Sequence, residues 1–174
     1  MIKVASIDRE SIVDGEGLRY VIFAQGCNHN CKGCHNPSTH PFNGGTEMSV
    51  DELINDIRQD PLLDGVTFSG GDPFFQAKEF TTLAKHCHDN GLSVWAYTGF
   101  TMEQFLKYRN GEKSDERINL DMIELLNNID VLVDGPFILE KRSLTTLYRG
   151  STNQRLIDAK KSIKNNKIVT INQF

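Results

Sequence analysis

The sequence predicts an α/β fold: a partial, TIM-like barrel of parallel strands joined by crossover helices and open on one side. Strand-like and helix-like segments alternate β-α-β-α-β-α-β, a pattern that calls for a parallel sheet. The 174 residues fall well short of the ~250 that a complete (β/α)8 barrel takes. The strand-like segments also run into turns marked by glycine or proline. Those turns therefore collect at the C-terminal strand ends, where α/β proteins gather their chemistry.

Residues 18–24 are rich in β-branched and aromatic types and are expected to form the first of these strands, leading directly into Gln25-Gly26-Cys27. Residues 35–47 carry Pro37, Pro41, Gly44 and Gly45 and are expected to be loop. Ser49 and Glu52 have capping-box spacing, and the helix they start should run through Arg58, ahead of Asp60-Pro61. Residues 65–69 form the second strand, ended by Gly70-Gly71-Asp72-Pro73. Residues 76–89 are helical, with Phe80, Leu83, Ala84 and Cys87 on one face and Asn90-Gly91 as the stop. Cys87 belongs to the core, and Trp95 is expected to pack against a helix. Residues 92–97 form the third strand, helices near 101–108 and 120–127 follow, and residues 129–133 form the fourth strand, ended by Asp134-Gly135-Pro136.

Composition is that of a globular protein, with 39% hydrophobic and 24% charged residues. A net charge of −4 argues against nucleic-acid binding through bulk electrostatics. No apolar run approaches the ~18 residues of a membrane span, and the N-terminal residues lack the apolar core of a secretory signal. Clustered cysteines then favour metal binding in a reducing compartment, and a cytoplasmic location is expected. The chain is read as one domain over residues 1–174, with a core of about 10–155 and a basic C-terminal extension at 156–174.

Cys27, Cys31 and Cys34 form a C-x3-C-x2-C triplet. Iron–sulfur cubes are usually held by four thiolates, so three leave one iron open, and an open metal position distinguishes catalytic sites from structural ones. The alternative is a structural zinc site completed by His29, His35 or His40. Position at the rim of a parallel sheet favours the cluster. Gly70 and Gly71 at a strand end permit a close backbone approach, Asp72 adds a carboxylate, and Pro73 stiffens the exit. A tight βα turn is the alternative reading of that motif.

The cysteine triplet after one strand and the Gly-Gly-Asp-Pro element after the next together resemble the radical S-adenosylmethionine (AdoMet) superfamily. Within it, residues 13–19 (Val-Asp-Gly-Glu-Gly-Leu-Arg), 23–27, and Cys34-His35-Asn36-Pro37 resemble glycyl-radical-enzyme activases. Residues 149–155 (Arg-Gly-Ser-Thr-Asn-Gln-Arg) are similar to the R-G-S-x-N-Q-R signature of those acting on anaerobic ribonucleoside-triphosphate reductases. The chain departs from many superfamily members at Gly33, where they carry an aromatic residue.

The resemblance implies a [4Fe–4S] cluster on Cys27, Cys31 and Cys34, and AdoMet at its open iron. Gly33, His35 and Asn36 would lie near adenine, and Gly70, Gly71 and Asp72 at the methionine amino group. Tyr97, Thr98 and Asp134 are further candidate contacts. The implied partners are the large subunit of the anaerobic reductase, which presents a glycine loop, and reduced flavodoxin or ferredoxin as electron donor. Activation of another glycyl radical enzyme, such as pyruvate formate-lyase, or a non-catalytic zinc or iron–sulfur module, remains an alternative.

Overall fold

The computed structural model describes residues 1–174. Its strands are β1 (Ile2–Ser11), β2 (Arg19–Ala24), β3 (Thr46–Met48), β4 (Gly65–Gly70), β5 (Ser93–Tyr97), β6 (Val131–Asp134) and β7 (Arg155–Asp158). Its helices are α1 (Val50–Ile57), α2 (Ala77–Asp89), α3 (Met102–Arg109), α4 (Leu120–Leu126) and α5 (Ala159–Asn165). One mixed sheet of seven strands runs β3-β1-β2-β4-β5-β6-β7 and does not close on itself.

The four expected strands are its parallel centre, β2-β4-β5-β6. Three further strands flank them. β1 and β3 add antiparallel pairs on one side, and β7 pairs antiparallel with β6 on the other. The sheet thus reaches beyond residues 10–155 at both ends. The segment 35–47, expected to be loop, contains a 3-10 turn at Pro37–Thr39 and the first residues of β3.

Local signals place the helices. Ser49 and Glu52 close a reciprocal capping box on α1, and Thr101 and Gln104 do the same for α3. Strand periodicity then sorts the side chains onto two faces. Tyr20, Ile22, Val66, Phe68, Val94, Ala96 and Leu132 join the helices in the main core. Fully burying a side chain such as Phe68 or Phe80 contributes about 2–3 kcal/mol.

The opposite face carries Arg19, Thr67, Trp95, Val133 and Leu156. Trp95 therefore does not pack against a helix. It meets Tyr148 and Phe174, with Val133 and Leu156 beside it, and the Arg19 guanidinium lies 5.4 Å from its ring centre. Arg19 is 1% exposed. It donates to Thr67 Oγ1, Ser93 Oγ and the carbonyls of Glu16, Val66 and Ser93. Burial lowers its pKa to about 10. No helix is long and apolar enough to cross a membrane.

Candidate active site

The turns after β2, β4, β5 and β6 meet at the C-terminal edge of the parallel strands. The cysteine loop leaves β2 with its root tied down. Gly26 N–H donates to the Thr39 carbonyl at 2.7 Å and Cys27 N–H to that of His40 at 3.0 Å. The Gln25 amide donates to the carbonyls of Ser38 and Pro41. Beyond Cys27 the loop has one turn of its own, Cys34 N–H to the Cys31 carbonyl at 3.2 Å.

All four cysteines are free thiols. Burial pushes Cys27 up to about 12, opposed by the backbone N–H of His29 at its sulfur. Cys31 is also raised by burial, against the backbone N–H of Phe137. That second contact joins the loop to the turn after β6. Three free thiols on one loop at the strand ends are the donor set of a cluster with one open iron. The zinc alternative also loses His29, whose ring nitrogens face Asp72 and Arg117.

Beneath the loop lies the Gly-Gly-Asp turn. Gly70 has φ +95°, and a Cβ there would stand 2.3 Å from the Ala24 nitrogen. A Cβ on Gly71 would stand 2.5 Å from the Gly26 oxygen. The close approach these glycines permit is to the root of the cysteine loop. Gly71 N–H donates to the Ala24 carbonyl at 2.8 Å and Asp72 N–H to that of Gly26 at 3.0 Å.

Asp72 is buried. Its Oδ2 accepts from His29 Nε2 at 2.7 Å, Thr98 Oγ1 at 2.8 Å and Gly99 N–H at 3.0 Å, while Oδ1 accepts from Phe74 N–H at 3.0 Å. Thr98 Oγ1 in turn accepts from Phe100 N–H. Asp134 is engaged in the same way, by Met102 N–H and by Arg155. The polar atoms of Asp72, Thr98 and Asp134 are directed at other parts of the protein.

A cavity of about 690 Å³ opens beside Cys34, lined by His35, Asn36, Ser69 and Tyr97. Burial pushes the Tyr97 hydroxyl pKa strongly upward, and this hydroxyl donates to the Tyr148 carbonyl at 2.5 Å. The His35 ring leans on Phe137 at 4.9 Å. Leu139 packs over Gly33, where a Cβ would lie 2.8 Å from Leu139 Cδ1. Of the expected cofactor contacts, His35, Asn36 and Tyr97 thus share one cavity with Cys34. Gly33, Gly70, Gly71, Asp72, Thr98 and Asp134 lie outside its lining.

The 149–155 signature forms a clasp. Gln154 Oε1 accepts from the N–H groups of Gly150 and Ser151, and its amide donates to the Gly135 carbonyl. Asn153 Nδ2 donates to the Pro136 carbonyl, and Ser151 Oγ donates to Asn153 and accepts from Ile138 N–H. Together these bonds hold one wall of the cavity against the turn after β6.

Sequence reasoning weighed His29 only as a zinc ligand and overlooked Ser69. Ser69 had a signal, being two residues from Thr67 on the same strand face. The remaining tether of His29, Arg117, lies 88 positions away in a polar link with no motif.

Residues 13–157 match the family described as "4Fe-4S single cluster domain". The anaerobic ribonucleoside-triphosphate reductase-activating protein of Haemophilus influenzae is 31% identical over 153 residues, covering 82% of this chain and 89% of that one. Its counterpart in Vibrio cholerae is 34% identical over 153 residues, with the same coverage. The pyruvate formate-lyase-activating enzyme of Clostridium pasteurianum is 39% identical over 97 residues, 53% of this chain and 41% of that one. The solved structure of QueE from Escherichia coli aligns at a TM-score of 0.47 and 15% identity, over 76% of this chain and 70% of that one.

Proposed function

The chain belongs to the family of anaerobic ribonucleoside-triphosphate reductase-activating proteins, and on that footing we propose that it installs the glycyl radical of the reductase's large subunit. The observation that carries this reading is the cavity beside Cys34, which brings a cysteine of the triplet together with His35, Asn36 and Tyr97 at the strand ends. Cys27, Cys31 and Cys34 would hold a [4Fe–4S] cluster, with AdoMet in the cavity. The open seven-strand sheet is read as a partial TIM-like barrel, and the whole chain as one domain.

When bound, the cluster and AdoMet supply one-electron cleavage of the sulfonium and a carbon radical able to take a hydrogen atom from a glycine Cα. The protein's part is binding, orientation and shielding. The backbone N–H groups of His29 and Phe137 would favour the Cys27 and Cys31 thiolates against the effect of burial. Gly33, His35 and Asn36 would border the adenine. The main chain of Gly70 and Gly71, next to Ser69, would meet the methionine amino group. Asp72, Thr98 and Asp134 would support these contacts from behind. Tyr97 ties the 143–150 segment down through the Tyr148 carbonyl. Hydrogen-atom transfer needs no acid or base, and none is assigned.

The partner's glycine loop would enter at the mouth of the cavity. Ile12, Val13, Leu144 and Leu147 are exposed there. The electron would come from reduced flavodoxin or ferredoxin, in the cytoplasm. The higher local identity to a pyruvate formate-lyase-activating enzyme gives that lyase the standing of a second candidate partner.

Anaerobic reconstitution tests the cluster assignment. About four irons per chain, with a brown absorbance bleached by dithionite and 5′-deoxyadenosine formed on adding AdoMet, is the expected result. One bound zinc and no cluster would overturn it.

A further inference from the structure

We propose that His29 and Asp72 form a latch that fixes the span of the cysteine loop between Cys27 and Cys31. Both are positioning residues for the cluster and ligate neither metal nor AdoMet. The inference rests on the cluster assignment made above and goes beyond it.

The loop needs such a latch. Between Cys27 and Cys34 its backbone makes no hydrogen bond to the body of the protein. Asn28, Asn30, Lys32 and Gly33 are exposed. The Cys31 sulfur meets Phe137 N–H, and His29 turns inward, at 7% exposure, onto a carboxylate at 0%. Its Nε2–H donates to Asp72 Oδ2 at 2.7 Å, and Nδ1 then faces Arg117 Nη1 at 3.4 Å as an acceptor. Its ring stands edge-on to Phe100 at 4.6 Å and tilted to Phe75 at 5.5 Å.

The receiving side is shaped for this ring. Asp72 is itself held by Thr98, Gly99 and Phe74, so it cannot swing away. A Cβ on Gly99 would stand 2.5 Å from the His29 ring, so the turn after β5 is cleared for it. Arg117 lies over Phe100, 4.8 Å from the ring centre, and donates to Asn28 Oδ1 at 2.7 Å. The latch therefore joins the cysteine loop to three other segments: the Gly-Gly-Asp turn, the turn after β5, and the link before α4.

Positioning and ligation differ in what they predict. Groups that orient metal ligands typically change metal retention about 10- to 100-fold when removed. They also alter the field at the cluster, here because a buried carboxylate loses its hydrogen-bond donor.

The test uses the reconstituted holoprotein without AdoMet, comparing wild type, His29→Ala, His29→Gln and Gly99→Ala. The readouts are the rate of iron loss to a chelator, the cluster's midpoint potential and its electron spin resonance spectrum. His29→Ala should lose iron about tenfold faster and shift both the potential and the spectrum. Gly99→Ala should reproduce this from the opposite side by displacing the ring. His29→Gln, which keeps an N–H for Asp72, should restore both towards wild type. Melting of each apoprotein separates this from misfolding: a cooperative transition, lowered in His29→Ala by the unpaired Asp72 and recovered in His29→Gln, together with altered cluster properties is what the latch predicts.

Wild-type retention and potential in His29→Ala would overturn the proposal. So would normal cluster properties with weakened AdoMet binding alone, which would make the pair a cofactor contact. If His29→Ala does not fold, the outcome passes to Gly99→Ala and His29→Gln, and normal iron retention and potential in Gly99→Ala overturns the latch. A wild type that takes up no cluster would overturn the underlying assignment and the latch together.

Discussion

Arg155 grips Asp134 at two points, Nε to Oδ1 at 3.1 Å and Nη2 to Oδ2 at 2.6 Å, and reaches Glu103 with the same guanidinium. The contact locks the first residue of β7 to the last of β6 and to the start of α3. Asp134 is 1% exposed, and its oxygens are satisfied by this partner and by Met102 N–H. Arg155→Ala should cost about 3 kcal/mol, read as a lower urea midpoint. Arg155→Lys should recover only part of this, because an ammonium cannot span both carboxylates as the planar fork does. A midpoint unchanged in Arg155→Ala would contradict this role.

Gly70 should not tolerate a side chain. Gly70→Ala places a methyl against the β2 backbone and forces a left-handed φ of +95° on alanine. A loss of about 3 kcal/mol or more, or failure to fold, is expected. Gly91→Ala is the control, because its φ is +75° with nothing within 4 Å, and a loss of about 1 kcal/mol should result. Equal losses at the two positions would argue against the close packing of the loop root on β4.

The parallel centre of the sheet, the Ser49–Glu52 capping box and the cysteine loop's place at the sheet's edge were legible because each rests on local pattern. β1, β3 and β7 were not, since their pairing is set by partners distant in sequence. Val4 pairs with Ala24 on one side and with Thr46 on the other. The Gly-Gly-Asp motif was legible as a turn with a purpose. Whether Asp72 faces a cofactor or His29 depends on where the loop folds back, which no local spacing encodes. Trp95 was misjudged for a related reason, since the cover of its face by Tyr148 and Phe174 is a tertiary fact.

The three cysteines of the triplet should prove individually essential. Cys27→Ala, Cys31→Ala and Cys34→Ala should each reduce 5′-deoxyadenosine formation to background. Cys87→Ala should keep activity while losing about 1 kcal/mol of stability, since it removes one buried sulfur. Full activity in any of the first three would remove the cluster assignment.

Acid should weaken the link that carries Arg117. The side-chain hydrogen bond from Arg117 holds the Asp115 carboxyl at about 2, below its ordinary 3.8. A carboxyl depressed in the folded state stabilises above its unfolded pKa and loses that contribution as pH falls through the folded one. The window here is about pH 4 down to pH 2. After solvent screening the contribution is about 1 kcal/mol. Asp115→Asn should remove that part of the pH dependence in apoprotein denaturation. An unchanged profile would contradict it.

The central claim is tested most directly by electron spin resonance after anaerobic mixing of the reconstituted protein with the reductase large subunit, AdoMet and a reductant. A parallel sample contains pyruvate formate-lyase in place of the reductase. A glycyl radical signal is expected on the reductase, dependent on AdoMet and absent with Cys34→Ala. A signal on the lyase alone, or none on a reductase that another activating protein can radicalise, would contradict it.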